Sequence, residues 1–388
     1  MKKNNFSRRS FLSVLSVSSV AMASSSVLSA PESLYGIGNP AKKMTVEPPV
    51  FKDELIVKLP RQVYGYRGSM GNLIQLKNGE IMMCYTDKGI RAVKSSNKGK
   101  TWSTSLRLVE SPQQPAHGNI LHPTFLRMAN GDILLSYIYS TYPTTPYYGH
   151  NYYRLSSDEG KTWTDQYLMT PHSGYVIIHN DRIHTLSTGR ILAIAEYKAY
   201  LPGTRDHSGY VCMSFFSDDK GYSWQPSRNT VDMFPAEVQE GDSIELKDGR
   251  IMMFARSYSG YAVRAYSYDQ GETWSKGEYI KDIKSPEEGG FPSVRRIPDT
   301  GDLLFVWISE YSRDKDNPAI KRRSVLTTAI SKDEGKTFIH HRNIAQDPDD
   351  DFGYQCIDFL DNGIALIGYH CRDGLRMARI SIDWFYGK

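Results

Sequence analysis

Apolar residues in this chain recur as short runs joined in pairs across tight polar turns. The pairs are NLIQLKNGEIMMCYT (72–86), TFLRMANGDILLSYI (124–138), RIHTLSTGRILAIAEY (182–197), SIELKDGRIMMFAR (243–256), SVRRIPDTGDLLFVWI (293–308) and CIDFLDNGIALIGYH (356–370). Each reads as a strand, an Asn-Gly, Asp-Gly or Thr-Gly type turn, and a second strand, which is the signature of a β-hairpin. Six such hairpins are present, and no stretch of any length carries a helical period.

Between most hairpins a third strand is expected, running into a near-identical octapeptide. It appears as SSNKGKTW (95–102), SSDEGKTW (156–163), SDDKGYSW (217–224), SYDQGETW (267–274) and SKDEGKTF (331–338). Its glycines, Gly99, Gly160, Gly221, Gly271 and Gly335, are spaced by 61, 61, 50 and 64 residues. A period of that size marks a repeated supersecondary unit. The Asp or Asn can accept hydrogen bonds from the turn's own backbone, the Gly supplies positive φ, and the Trp packs between strands. The oxygen ligands are too few for a calcium loop. Six units in an all-β chain predict a six-bladed β-propeller. The sixth unit lacks the octapeptide and ends in LRMARISIDWF (375–385), so residues of about 52–66 are expected to complete it and close the ring.

Composition adds a compartment. Lys2, Lys3, Arg8 and Arg9 precede an apolar run from Phe11 to about Val27, followed by small residues. Residues 1–30 therefore read as a secretory signal, too short for a membrane span, with 31–51 as a linker and 52–388 as the propeller. The segment Ser7-Arg8-Arg9-Ser10-Phe11-Leu12 resembles the twin-arginine export signal of bacteria; an ordinary signal with two chance arginines is the alternative. A periplasmic or secreted bacterial protein is expected. The formal net charge is +4, and the signal carries four basic residues and no acid, so the remainder is neutral. That argues against nucleic acid as a partner. Cys84, Cys212, Cys356 and Cys371 lie scattered in apolar runs without metal spacing and read as buried free thiols. No motif calls for a metal or cofactor. The 26 tyrosines suit sugar binding, since aromatic faces pack on C–H surfaces while the polar edge reaches hydroxyls.

The octapeptide resembles the Asp-box, and a six-bladed propeller carrying it resembles the sialidase (neuraminidase) superfamily. That resemblance implies arginines that hold the sugar's carboxylate, a Tyr nucleophile assisted by a Glu, and an Asp acid/base. In EGDSIELKDGRIMMFAR (240–256), Glu240, the turn Asp248 and Arg256 match the family's spacing. In RSVLTTAISKDEGKTF, Arg323 stands eight residues before the box Ser331; in YQCIDFLDNG, Tyr354 stands nine before the turn Gly363. The family's opening Arg-Ile-Pro motif is absent. YGYRGSMGNLIQLKNG (64–79) puts Arg67 near that place but out of register. Either Arg67 serves by a bulged path or the arginine trio has lost a member. Asp87 stands where the acid/base would, on a loop shorter than the family's, and a plain turn residue is the alternative.

His122, Asp181 and Arg182 open innermost strands and are expected to line the cleft. His179 and His184 are open to core or surface roles. The tyrosine-rich stretch 137–154 is expected to rim the site. The implied activity is a retaining exo-glycosidase that removes a terminal acidic sugar, sialic acid foremost, from a glycan, acting as a monomer. Two alternatives stand beside it. One is a hydrolase or lyase for another acidic sugar, with His122 or His179 as acid/base; the other is a sugar-binding propeller without catalysis.

Overall fold

Each apolar run becomes a strand, and each Gly-bearing turn between two runs becomes a hairpin. The computed structural model describes residues 50–60, 69–110, 119–141, 148–199, 209–286, 289–313, 317 and 321–388. Residues 1–49, which hold the expected signal and nearly all of the linker, lie outside these, as does Arg67.

Strand β1 (Phe51–Lys58) comes first but joins the last sheet. Blade one is β2 (Met70–Gln75), β3 (Ile81–Thr86), β4 (Gly89–Ser95) and β5 (Leu106–Glu110). Blade two is β6 (Asn119–Arg127), β7 (Ile133–Ser140), β8 (Gly149–Ser156) and β9 (Tyr167–Leu168). Blade three has a broken inner strand, β10 (Tyr175–Ile177) and β11 (Ile183–Thr185), then β12 (Ile191–Lys198), β13 (Val211–Ser217) and β14 (Gln225–Pro226). Blade four is β15 (Val238–Glu245), β16 (Ile251–Ser257), β17 (Tyr261–Ser267) and β18 (Glu278–Lys284). Blade five is β19 (Gly290–Arg296), β20 (Leu303–Arg313), β21 (Lys321–Ser331) and β22 (Ile339–Gln346). Blade six is β23 (Gly353–Leu360), β24 (Ile364–Cys371) and β25 (Gly374–Ser381), with β1 as its outer strand.

The described residues thus form an all-β, six-bladed propeller. β1 pairs antiparallel with β25 from Phe51↔Ile380 to Lys58↔Gly374, so the N-terminal strand closes the ring. One feature departs from independent blades: a parallel bridge, Tyr175↔Gly149, joins blades two and three into one sheet. One helical turn, α1 (Ile382–Phe385), follows β25. No described helix is long and apolar enough to cross a membrane.

The repeat explains itself in this setting. The octapeptide's Ser is the last residue of the third strand in blades one to five. In blade four its Oγ accepts from Gly271 N at 2.8 Å, Asp269 Oδ1 accepts from Thr273 N at 2.8 Å, and Thr273 Oγ1 donates to Asp269 Oδ2 at 2.6 Å. A Cβ on Gly271 would lie 2.3 Å from Leu192 of blade three, so the turn is also a blade-to-blade contact. Two repeats add an acid to that contact. Glu159 accepts from Lys77 N of blade one at 3.0 Å and from Arg127 at 2.6 and 2.8 Å, and Glu334 does the same with Lys247 N and Arg296. The apolar cores lie between blades, as where Met82 and Cys84 pack with Phe125 and Leu135. All four cysteines are buried free thiols.

Candidate active site

The innermost strands begin at one end of the propeller, and there the regular pleat breaks. Pairing slips between Leu121 and Thr124, Gln239 and Asp242, Gly290 and Ser293, and Gly353 and Cys356. Such bulges re-aim a side chain out of the alternating pattern. At each slip one non-glycine residue takes a positive φ: His122 (50°), Glu240 (52°), Phe291 (43°) and Tyr354 (52°). Conformations of this kind cost roughly 1–3 kcal/mol each and persist where the surroundings over-determine them. In blade three the break is longer. Residues 178–182 separate β10 from β11 and carry His179, Asn180, Asp181 and Arg182 inward.

These bulges converge on Tyr354. Its ring packs on Phe291 at 4.4 Å, His122 at 4.6 Å and His179 at 5.8 Å between centroids. Its hydroxyl donates to Glu240 Oε1 at 3.3 Å. The other oxygen of Glu240 accepts from Arg256 Nη1 at 2.8 Å, and Arg256 Nη2 donates to Tyr258 Oη at 3.2 Å. The Arg323 guanidinium sits 5.5 Å from the Tyr354 ring centre. All of these except the half-buried Tyr258 are buried. Both arginines project over a glycine that opens the next blade. A Cβ on Gly290 would lie 2.8 Å from Arg256 Cγ and Cδ, and one on Gly353 would lie 3.0 Å from Arg323 Nη1.

Burial opposes the charge on Glu240, but the Arg256 and Arg323 guanidiniums more than offset it and hold the carboxyl down to about 2. Burial and then the neighbouring His179 push His122 well below the ordinary histidine value. The amide nitrogen of Asn180 donates to Gly71 O at 3.0 Å and Tyr354 O at 2.8 Å, so its oxygen faces His122 Nδ1 at 3.2 Å. The neutral imidazole therefore carries its proton on Nδ1 and its lone pair on Nε2.

Behind this cluster lies Glu196 of β12, whose Oε2 is 3.2 Å from His179 Nε2 and accepts from Glu240 N at 3.3 Å. Ligand atoms of His179, Glu196 and Glu240 lie within 4.8 Å of one another, a spacing that could hold a cation. The guanidinium of Arg256 already supplies a positive charge at Glu240.

One layer deeper, Asp181 and Arg182 join a network along the axis. Arg295 bridges Asp181 Oδ2 at 2.6 Å and Asp242 Oδ2 at 2.7 Å. Arg182 lies 3.5 Å from Asp242, donates to Pro292 O at 2.6 Å and stacks under Phe291 at 4.2 Å. Asp181 also accepts from Asn72 Nδ2 and Ile357 N, its backbone N donates to Thr124 Oγ1, and His184 pairs with Asp242 at 2.8 Å. All six blades contribute. Asp181 and Arg182, expected to line the cleft, are thus engaged by protein partners, and Arg182 is fully buried.

Tyr354, Glu240, Arg256, Arg323 and His122 are brought together; Asp87 is not in contact with them. It caps the β3–β4 turn at the same end of the propeller, where Thr86 N bonds Ser69 O, and its carboxylate lies 3.6 Å from Arg91 Nε. Asp248 is in a turn at the opposite end, paired with Arg250 at 2.7 Å. Residues 142–147 of the tyrosine-rich stretch lie outside the described residues; on either side of them Tyr148 N donates to Thr141 Oγ1 at 2.7 Å. Sequence reasoning missed Glu196, Phe291, Tyr258 and Arg295. Phe291 had a signal: like His122, Glu240 and Tyr354, it stands nine or ten residues before its hairpin's turn glycine.

Residues 86–363 match the BNR repeat-like domain family. A sialidase from Clostridium perfringens is 26% identical over 233 residues, which is 49% of this chain and 60% of that protein, so the match spans less than two thirds of the relative. Among solved structures, a Dyadobacter fermentans protein of unknown function superposes with TM-score 0.63 at 20% identity, covering 86% of this chain and 98% of its own. The NanB sialidase of Streptococcus pneumoniae superposes with TM-score 0.61 at 15% identity, covering 85% and 70%.

Proposed function

Because the chain belongs to the BNR repeat-like family of the sialidase superfamily, we propose that it is an exo-glycosidase releasing a terminal acidic sugar with retention, sialic acid being the substrate its site fits best. One observation carries this reading: the Tyr354 hydroxyl is bonded to Glu240 beside two buried guanidiniums. Arg256 and Arg323 hold the substrate carboxylate, which planar guanidiniums grip in bidentate fashion. That carboxylate sits on the anomeric carbon, so a neutral Tyr354 approaches without the repulsion an Asp or Glu would meet.

Glu240 takes the tyrosine proton as the C–O bond forms. In the free protein it is a weak base, because the arginines hold it ionised. A bound substrate carboxylate shares those two cations and raises the proton affinity of Glu240, so binding primes the base. Asp87 protonates the leaving oxygen and then activates water against the tyrosyl-sugar bond. Asp181 and Arg182 hold the axis together beneath Phe291 rather than touch substrate.

A second reading rests on His122, a neutral ring packed 4.6 Å from both Tyr354 and His179 between centroids. It suits proton abstraction beside a carboxylate, hence a lyase acting on a uronic acid. NMR of the reaction with an α-sialoside separates the two. The α-anomer of the free sugar as first product supports the retaining hydrolase. The β-anomer first excludes retention. An unsaturated product from a uronate, with the sialoside untouched, replaces it by the lyase.

A further inference from the structure

The face opposite the candidate active site carries a groove between blades two and three. From His122 at the candidate active site, β6 runs through Arg127 to the turn that carries Asp132 of the groove. The groove has a volume of about 560 Å³ and is lined by Tyr153, Trp163, Tyr167 and Tyr222, with Asp132 and Thr162 among its polar positions. Tyr153 forms its floor. It is buried, packs 5.4 Å from Tyr167 between centroids, and donates from its hydroxyl to Tyr222 O at 3.1 Å. Tyr167 and Tyr222 stand on either side, 49% and 59% exposed.

Tyr222 is a departure from the repeat. The same octapeptide position carries Lys100, Lys161, Glu272 and Lys336 in the other four copies. Only where the turn borders this groove is a solvated charge replaced by an aromatic ring.

We propose that this groove is a second carbohydrate-binding site, for a neutral pyranose oligosaccharide, separate from the acidic-sugar site and independent of its chemistry. Exposed rings flanking a floor of fixed geometry present faces for the C–H surfaces of sugar rings. The hydroxyl and carboxylate oxygens of Thr162 and Asp132 accept hydrogen bonds from sugar hydroxyls. Among the described residues Asp132 is the one charged group in the lining, so an anionic sugar is repelled while a neutral one is not. The opposite face, with Arg256 and Arg323 buried at its centre, has the reverse preference.

The test uses the whole protein carrying Tyr354→Phe, so that turnover does not obscure binding. It is screened on an array of neutral oligosaccharides that includes N-acetyllactosamine and cellohexaose, with hits measured by calorimetry. Tyr222→Ala and Tyr167→Ala should each weaken a hit by about three- to tenfold, the worth of one aromatic contact. Arg323→Ala should leave it unchanged. Both tyrosines are exposed, so an unaltered melting temperature confirms folding. Three results would overturn the assignment: no neutral sugar bound at millimolar concentration, hits lost with Arg323→Ala but not with the tyrosine variants, or binding of a proline-rich peptide with no sugar bound.

Discussion

Replacing Glu240 by Gln should cost about 3 kcal/mol of folding stability at pH 7, and that cost should fade as the medium is acidified. The figure follows from the buried ion pair. Glu240 titrates at about 2 in the folded protein against an ordinary 4.5, and each unit is worth about 1.4 kcal/mol. Its folded value is depressed, so the stabilisation is present above pH 4.5 and is lost as pH falls through 4.5 towards 2. Gln keeps an acceptor 2.8 Å from Arg256 but leaves the buried guanidinium without its counter-charge, the situation known to cost about 3–5 kcal/mol. Urea unfolding followed by tryptophan fluorescence, for wild type and variant from pH 7 to pH 3, gives the difference curve. It should shrink to about half by pH 3. A difference that stays flat with pH, or that is under about 1 kcal/mol at pH 7, would show that the Glu240–Arg256 pair does not carry this charge.

Other consequences test the site piece by piece. Gly290→Ala should raise KM more than it lowers kcat, because its Cβ would displace Arg256. Gly249→Ala, at a similar positive φ with nothing within 4 Å of its Cβ, should cost stability and leave KM alone. Arg323→Ala should lower kcat/KM on an acidic-sugar glycoside by about ten- to a hundredfold, the worth of one or two charge-assisted hydrogen bonds, measured in steady state. Asp87→Asn should slow a natural glycoside far more than an aryl glycoside whose leaving group needs no proton; equal slowing removes Asp87 from the acid role.

Much of the architecture was readable in the chain because its determinants are local. A turn glycine, a two-residue period and an eight-residue motif each act within a dozen positions, and they recur at each blade. Tyr354, Glu240, Arg256 and Arg323 were found through fixed offsets from those same turns. What escaped depends on contacts between blades. Arg295 sits on an ordinary strand, and only the ring's closure brings it between Asp181 and Asp242. Glu196 lies in an apolar run, and nothing local says that it faces His179 across the broken inner strand of blade three. That break also hid β10, which the hairpin pattern omitted and which bridges to Gly149. The left-handed backbone at Phe291 and Tyr354 has no local cue either, since neither is a residue that favours it.

The central claim is that Tyr354 is the group that attacks the sugar. Turnover of a fluorogenic α-sialoside by wild type and by Tyr354→Phe, with melting temperatures matched, tests it most directly. Loss of only the hydroxyl keeps the ring's packing on Phe291 and His122, so the account predicts a folded variant whose kcat/KM is lower by at least about 10³-fold. A variant that retains wild-type turnover would contradict the assignment of Tyr354 as nucleophile.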